Sequence, residues 1–240
     1  MRLLRHLPNL LTLLNLFSGC IALIFAFEHN YLLAFLFVAL GIFFDFFDGF
    51  FARMFKTSSE LGLQLDSLAD MVTSGVVPGL TMFFMLDEAV QLKEISLSDP
   101  KFWICLCGFI ITLGSCMRLA KFNIDTRQTD SFIGLPTPAN TLVILSLPII
   151  RDRESFILYG VFTEVLVLLA ITALSAFMLN AEIPLFSLKI KKFSFKDNSI
   201  QFVFLAICVL LLAFFQFAGV PLIILTYIAM SVINNRMNRK

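Results

Sequence analysis

The sequence predicts an all-α, polytopic membrane protein with about eight transmembrane helices, and three observations lead there. Of 240 residues, 59% are hydrophobic and only 15% are charged, whereas a water-soluble chain carries about 25% charged residues. Apolar runs close to the length that crosses a bilayer, about 18 residues or more, recur from end to end. The charged residues between them fall mostly in short punctuating stretches. One membrane domain without a soluble module accounts for all three.

The punctuation places the spans at about 10–27, 31–54, 63–86, 102–122, 136–150, 155–179, 200–216 and 219–234. The fifth is the shortest, and Pro136, Pro138 and Pro148 crowd it. No small-residue cleavage site follows the leading MRLLRHLPN, so it reads as an amphipathic lead-in rather than a signal peptide, with Arg2 and Arg5 available to anionic headgroups. The stretch 187–199, SLKIKKFSFKDNS, reads as a solvated loop. Cys20, Cys105, Cys107, Cys116 and Cys208 lie within apolar spans and lack the partners of a zinc site, so they read as packing residues. His6 and His29 fall at span ends, near polar headgroups.

A net charge of +1 gives no ground for a nucleic-acid partner, but the distribution of charge is informative. With eight spans, both termini share a side. That side holds Arg2, Arg5, Arg53, Lys56, Arg118, Lys121, Arg127, Lys189, Lys191, Lys192, Lys196, Arg236, Arg239 and Lys240; the other holds Lys93, Lys101, Arg151 and Arg153. Fourteen against four places both termini in the cytoplasm of a cell whose inner membrane the chain crosses. Dropping the fifth span would put the four lysines of 187–199 on the wrong face.

The polar residues inside the apolar runs carry the chemistry. In FFDFFDGFFARMF (43–55), Asp45, Asp48, Gly49 and Ala52 stand at i, i+3, i+4 and i+7, one stripe of a helix, with Arg53 at its cytoplasmic end. In GLQLDSLAD (62–70), Gly62, Asp66 and Asp70 are each four apart, again on one face. Two helices therefore bring four carboxylates together at the cytoplasmic membrane surface. Such a cluster repels itself and is expensive to desolvate. Arg53 and Lys56 are too few to neutralise it. Two hard divalent cations, Mg²⁺ or Mn²⁺, suit oxygen ligands, and a pair of them is the arrangement used for displacement at phosphorus. The flat surface at Gly49 and Ala52 leaves room for a nucleotide diphosphate. A lone aspartate such as Asp45 can also be read as a structural ion-pair partner or a proton relay; the full spacing cannot.

Residues 45–70 resemble the signature of the CDP-alcohol phosphatidyltransferase family at all eight positions, Asp45, Asp48, Gly49, Ala52, Arg53, Gly62, Asp66 and Asp70. The resemblance implies a six-helix membrane core, here with two further C-terminal helices, usually as a homodimer. It divides the chain into a core at 1–180 and a loop plus two helices at 181–240. It implies transfer of a phosphatidyl or related group from a CDP-linked donor to a hydroxyl, with release of CMP. Carried over by position, Asp45, Asp48, Asp66 and Asp70 hold the two metals, Asp70 is also the general base, and Gly49, Ala52, Arg53 and Gly62 serve the CDP moiety.

Three further stretches, PNLLTLLNLFSG (8–19), RLAKFN (118–123) and FIGLPTPA (132–139), resemble the integral-membrane phosphatidylserine synthases of that family. They imply CDP-diacylglycerol and L-serine as substrates and membrane lipid as surroundings. Lys121 stands where that group often has a second arginine, which keeps the charge and loses bidentate pairing. Arg118, Lys121 and Asn123 then border the acceptor, although Arg118 reads equally as a positive-inside anchor. Asn9, Thr12 and Asn15 recur every three residues and either line the donor or nucleotide pocket or cap and cross-link helices. Glycerol 3-phosphate or an inositol phosphate is the alternative acceptor, and would need a larger basic cluster. A small-solute or ion transporter is the alternative of a different class; it leaves Gly49, Ala52 and Arg53 unexplained, and its aspartates would sit at mid-membrane.

The charge asymmetry yields a test of sidedness. Cysteines introduced near Lys56 and Lys192 should react with a membrane-impermeant label from the cytoplasmic side, and cysteines near Glu94 and Asp152 should not. Cytoplasmic labelling near Glu94 would overturn the topology.

Overall fold

The structure, a computed structural model, describes residues 6–57, 59–125, 131–153, 156–186 and 198–237. Helix α1 (Leu7–Phe27) and helix α2 (Tyr31–Phe55) form an antiparallel hairpin. Pro8 opens α1, where its missing N–H costs nothing. Asn30 caps α2 by accepting from the Leu33 N–H, and Lys56 ends it in the left-handed region. Ser59 then accepts from the Gly62 N–H at 3.0 Å and starts α3 (Glu60–Asp70). A π-helical turn (Met71–Val76) carries α3 into α4 (Val77–Val90), one rod of 31 residues. A second rod joins α5 (Pro100–Leu106) through a 3₁₀ turn to α6 (Ile110–Ile124). There follow α7 (Thr137–Arg153), α8 (Phe156–Thr163), α9 (Val165–Asn180), α10 (Ser199–Phe215) and α11 (Gly219–Met237).

Among the described residues, the eight expected spans correspond to α1, α2, α3–α4, α5–α6, α7, α9, α10 and α11. The chain is a multi-pass, all-α membrane protein, because in lipid only a helix or a closed barrel satisfies its own backbone. Two details depart from the expected outline. The sixth span is not one helix over 155–179: the backbone turns extended at Glu164 and separates short α8 from α9. A carboxylate within an apolar run is cheapest where the helix breaks at the membrane boundary. A short antiparallel ribbon also forms, pairing Ser131 with Phe186, Phe132 with Leu185 and Ile133 with Pro184. Gly134, at φ 76°, lets the chain leave that ribbon beneath the end of α9; a Cβ there would lie 2.7 Å from Leu179 O.

Small residues set the packing of the first helices. Ala22, Ala26 and Ala34 are fully buried along the α1–α2 seam with Val38, Val77 and Leu145. A Cβ on Gly19 would stand 2.4 Å from Thr73 Oγ1, and one on Gly41 2.8 Å from Asn15 Oδ1. Close helix approach through small residues is the characteristic solution in lipid, where exclusion of water does not drive association. Helices α10 and α11 attach through Phe204 and Tyr227, which pack on Leu135, Leu185 and Phe186 of the ribbon region.

At the end of the bundle opposite the aspartates, Glu88 of α4 pairs with Arg151 of α7 and accepts from Tyr31 Oη at 2.9 Å, with His29 Nδ1 also at 2.9 Å. Arg151, expected as a loop charge, is instead buried in this network. Cys105 is buried, whereas Cys20 and Cys116 face outward rather than packing inside. Of the residues behind the charge asymmetry, Arg2, Arg5, Arg127, Lys189, Lys191, Lys192, Lys196, Arg239 and Lys240 lie outside the described residues.

Candidate active site

The turn from α2 to α3 folds two acidic helix faces against each other. Ligand oxygens of Asp45, Asp48 and Asp66 all lie within 4.8 Å of one another. The fourth aspartate, Asp70, falls outside that trio. Its Oδ1 accepts from Asn15 Nδ2 at 3.0 Å, and Thr12 Oγ1 donates to Asp48 Oδ2. The polar stripe of α1 therefore serves the carboxylates directly. Thr12 and Asn15 are almost wholly buried, and Asn9 and Thr12 also line an adjacent cavity. Of the two roles expected for this stripe, Thr12 and Asn15 cross-link helices, with the aspartates as their partners, and Thr12 also lines a cavity.

Two cavities flank the cluster, and Asp66 stands on the wall of both. The first, of about 200 Å³, is lined by Asn9 and Thr12 of α1, by Asp48, Gly49, Ala52 and Arg53 of α2, and by Gly62 and Asp66 of α3. A Cβ on Gly49 would meet only the Arg53 guanidinium, at 3.6 Å, so the α2 backbone is open to a ligand there. The second cavity, of about 220 Å³, is bounded by Asp45, Asp66, Ser67 and Asp70 on one side and by Arg118, Phe122, Pro136, Thr137 and Pro138 on the other. Arg118 is buried, donates from Nε to Leu135 O at 3.1 Å and lies over the Phe122 ring. The stretch FIGLPTPA thus both anchors this guanidinium and walls the cavity. Asn123 and Ser67 exchange hydrogen bonds at 2.8 and 3.1 Å beside it. Ser67 was not singled out from the sequence. Lys121 is exposed and lines neither cavity, so the structure does not bring it to the site with Arg118.

The donor set fits a hard divalent cation. Three carboxylates converge within one ligand shell, and Asp66 Oδ1 is buried without a hydrogen-bond partner, a costly state that a cation relieves. Arg53 borders only the first cavity and Arg118 only the second.

The chain is similar to known proteins along most of its length. The family model for CDP-alcohol phosphatidyltransferase matches residues 5–233. The CDP-diacylglycerol–serine O-phosphatidyltransferase of Bacillus subtilis is 36% identical over 143 residues, covering 59% of this chain and 75% of that protein. The protein of the same name from Helicobacter pylori strain 26695 is 31% identical over 175 residues, 72% of this chain and 69% of its own. The archaetidylserine synthase of Methanothermobacter thermautotrophicus is 29% identical over 179 residues, 73% of this chain and 67% of its own. A match across nearly the whole chain removes the transporter reading: the protein belongs to the CDP-alcohol phosphatidyltransferase family and is a transferase.

Proposed function

We propose that the chain transfers the phosphatidyl group of CDP-diacylglycerol to the hydroxyl of L-serine, giving phosphatidylserine and CMP. The observation that carries the choice of acceptor is the buried Arg118 guanidinium, which walls the same small cavity as Asp45, Asp66 and Asp70. It suits one carboxylate. Glycerol 3-phosphate or an inositol phosphate brings more negative charge, and Arg118 is the only basic side chain lining that cavity among the described residues. The names of the relatives support the same acceptor.

In this reading the first cavity takes the CDP moiety, with Arg53 against phosphate and the small residues Gly49, Ala52 and Gly62 allowing close approach. The acyl chains stay in lipid. Asp45, Asp48, Asp66 and Asp70 would hold two Mg²⁺ or Mn²⁺ ions, whose chemistry is to neutralise the diphosphate and the departing CMP. Arg118 orients serine by its carboxylate. Asp70, steadied by Asn15, takes the proton from the serine hydroxyl. The serine oxygen bonds to the phosphorus that bears diacylglycerol, and the bond from that phosphorus to CMP breaks. The catalytic unit is residues 1–180, with 181–240 an added helical pair. Both termini and the site face the cytoplasm, and a second copy of the chain is the expected partner.

An acceptor screen tests this directly. Purified protein with CDP-diacylglycerol and Mn²⁺ should release CMP with serine, and much less with glycerol 3-phosphate, an inositol phosphate or water; excess chelator should stop it. Faster release with a phosphate-bearing acceptor would reject serine.

Asp70 and Asp45 should fail differently. Asp70→Asn keeps an oxygen ligand and removes the base, so it should spare donor binding and cut single-turnover rates by about 10² to 10⁴-fold. Asp45→Asn should weaken metal and CDP-diacylglycerol binding together. Equal loss of donor binding in both would show that the base role is not separable from ligation, and turnover of Asp70→Asn within about tenfold of the parent would exclude Asp70 as base.

A further inference from the structure

The π-helical turn at Met71–Val76 begins one residue after Asp70. Its wide bonding is seen where the Val77 N–H reaches Val72 O, five residues back. A π turn inserts an extra residue into the helix and often accompanies a functional site. At 3.6 residues per turn, that insertion rotates α3 relative to α4 by roughly 100°. One rod can then aim Asp66 and Asp70 at the cavities while Val77, Thr81, Met82 and Met85 stay in the bundle.

The turn is not self-sufficient. In α-helical register the N–H of residue 78 would serve Ser74 O, but Pro78 has none. The missing donor is replaced from outside the helix. Ser115 Oγ of α6 donates to Ser74 O at 3.3 Å, and Thr141 Oγ1 of α7 lies 2.9 Å from the same carbonyl while also 2.9 Å from Thr137 O. Thr112 Oγ1 serves the next carbonyl, Gly75 O, at 2.9 Å. On the far side, Thr73 Oγ1 donates to Asn15 O at 3.2 Å, and Asn15 is the residue bonded to Asp70. Thr73, Ser74, Ser115 and Thr141 are all fully buried. A hydroxyl lost there leaves a buried carbonyl short of its outside donor.

The two donors to Ser74 O sit on the helices that build the acceptor side of the second cavity. Ser115 is three residues before Arg118 on α6, and Thr141 is four residues after Thr137 on α7. We propose that Ser115 and Thr141 are positioning residues: through the carbonyl of Ser74 they fix the Asp70 turn in register with the acceptor walls at Arg118 and Thr137. The inference rests on Asp70 acting as base, as assigned above. Neither residue contacts the first cavity, so the clamp governs acceptor use and turnover, not donor capture.

The test is steady-state kinetics on the purified full chain, using whichever acceptor supports CMP release by the parent. A parent that prefers another acceptor would reject the serine reading and leave this test intact. The double variant S115A/T141V should lose about tenfold to a hundredfold in kcat or in kcat/KM for the acceptor, the scale expected for a small misplacement of a reacting group. Its KM for CDP-diacylglycerol should stay within about twofold, and S115T/T141S, which keeps both hydroxyls, should recover most of the loss. Thermal melting in detergent is read beside each; if the double variant melts early, the single T141V against T141S decides by the same criteria. Turnover close to the parent in a folded T141V chain and a folded S115A chain would overturn the clamp. So would an equal rise in the donor KM, which would mark a general structural role.

Discussion

Carboxylate repulsion at the end of two adjacent membrane helices is the constraint around which this molecule is arranged. Three aspartate oxygens lie within 4.8 Å. At that separation, each pair of unit charges repels by roughly 3 kcal/mol at an effective dielectric of about 20. Asp48 is buried and the other aspartates are half-buried, so water screens the cluster only in part. A chain that keeps such a group must supply donors to some of the carboxylates, bring the helices close enough to hold them, and leave an opening for cations to serve the rest.

Each requirement maps onto particular residues. Thr12 and Asn15 supply the donors to Asp48 and Asp70. Gly19 and Gly41 let α1 and α2 approach the turn after Asp70 to within distances a Cβ would forbid. The opening is the pair of cavities that meet at Asp66. Their chemistry differs across that residue, with an arginine and bare helix backbone on one side and a buried arginine beside an apolar, proline-bearing wall on the other. On the proposed reading, the first side takes the lipid-linked donor and the second the small acceptor, with the carboxylates between them.

Much of the fold was legible because lipid imposes simple rules: a span must be helical, apolar and about 20 residues long. The acidic stripes were legible for a related reason, since charges in an apolar run stand out and helical spacing places them on a face. What escaped depends on contacts between distant parts of the chain. Pro78 is visible in the sequence, but its consequence depends on Ser115 and Thr141 reaching Ser74 O from other helices. Arg151 looks like a loop charge until Glu88 is placed beside it. Lys121 follows Arg118 by three residues, yet it is exposed while Arg118 points inward to Leu135 O. The three-residue strands are too short for alternation to show, and Glu164 breaks a span whose composition reads as continuous.

The central claim is that the aspartate cluster is built to hold divalent cations, and direct Mn²⁺ titration tests it most closely. Purified protein without either substrate would be titrated while the signal of free Mn²⁺ is followed by electron paramagnetic resonance. The account predicts saturable binding of about two ions per chain, the number that suits displacement at phosphorus, with a clear loss in Asp66→Asn, the residue that stands between both cavities. No saturable binding, or binding undiminished in Asp66→Asn, would contradict it.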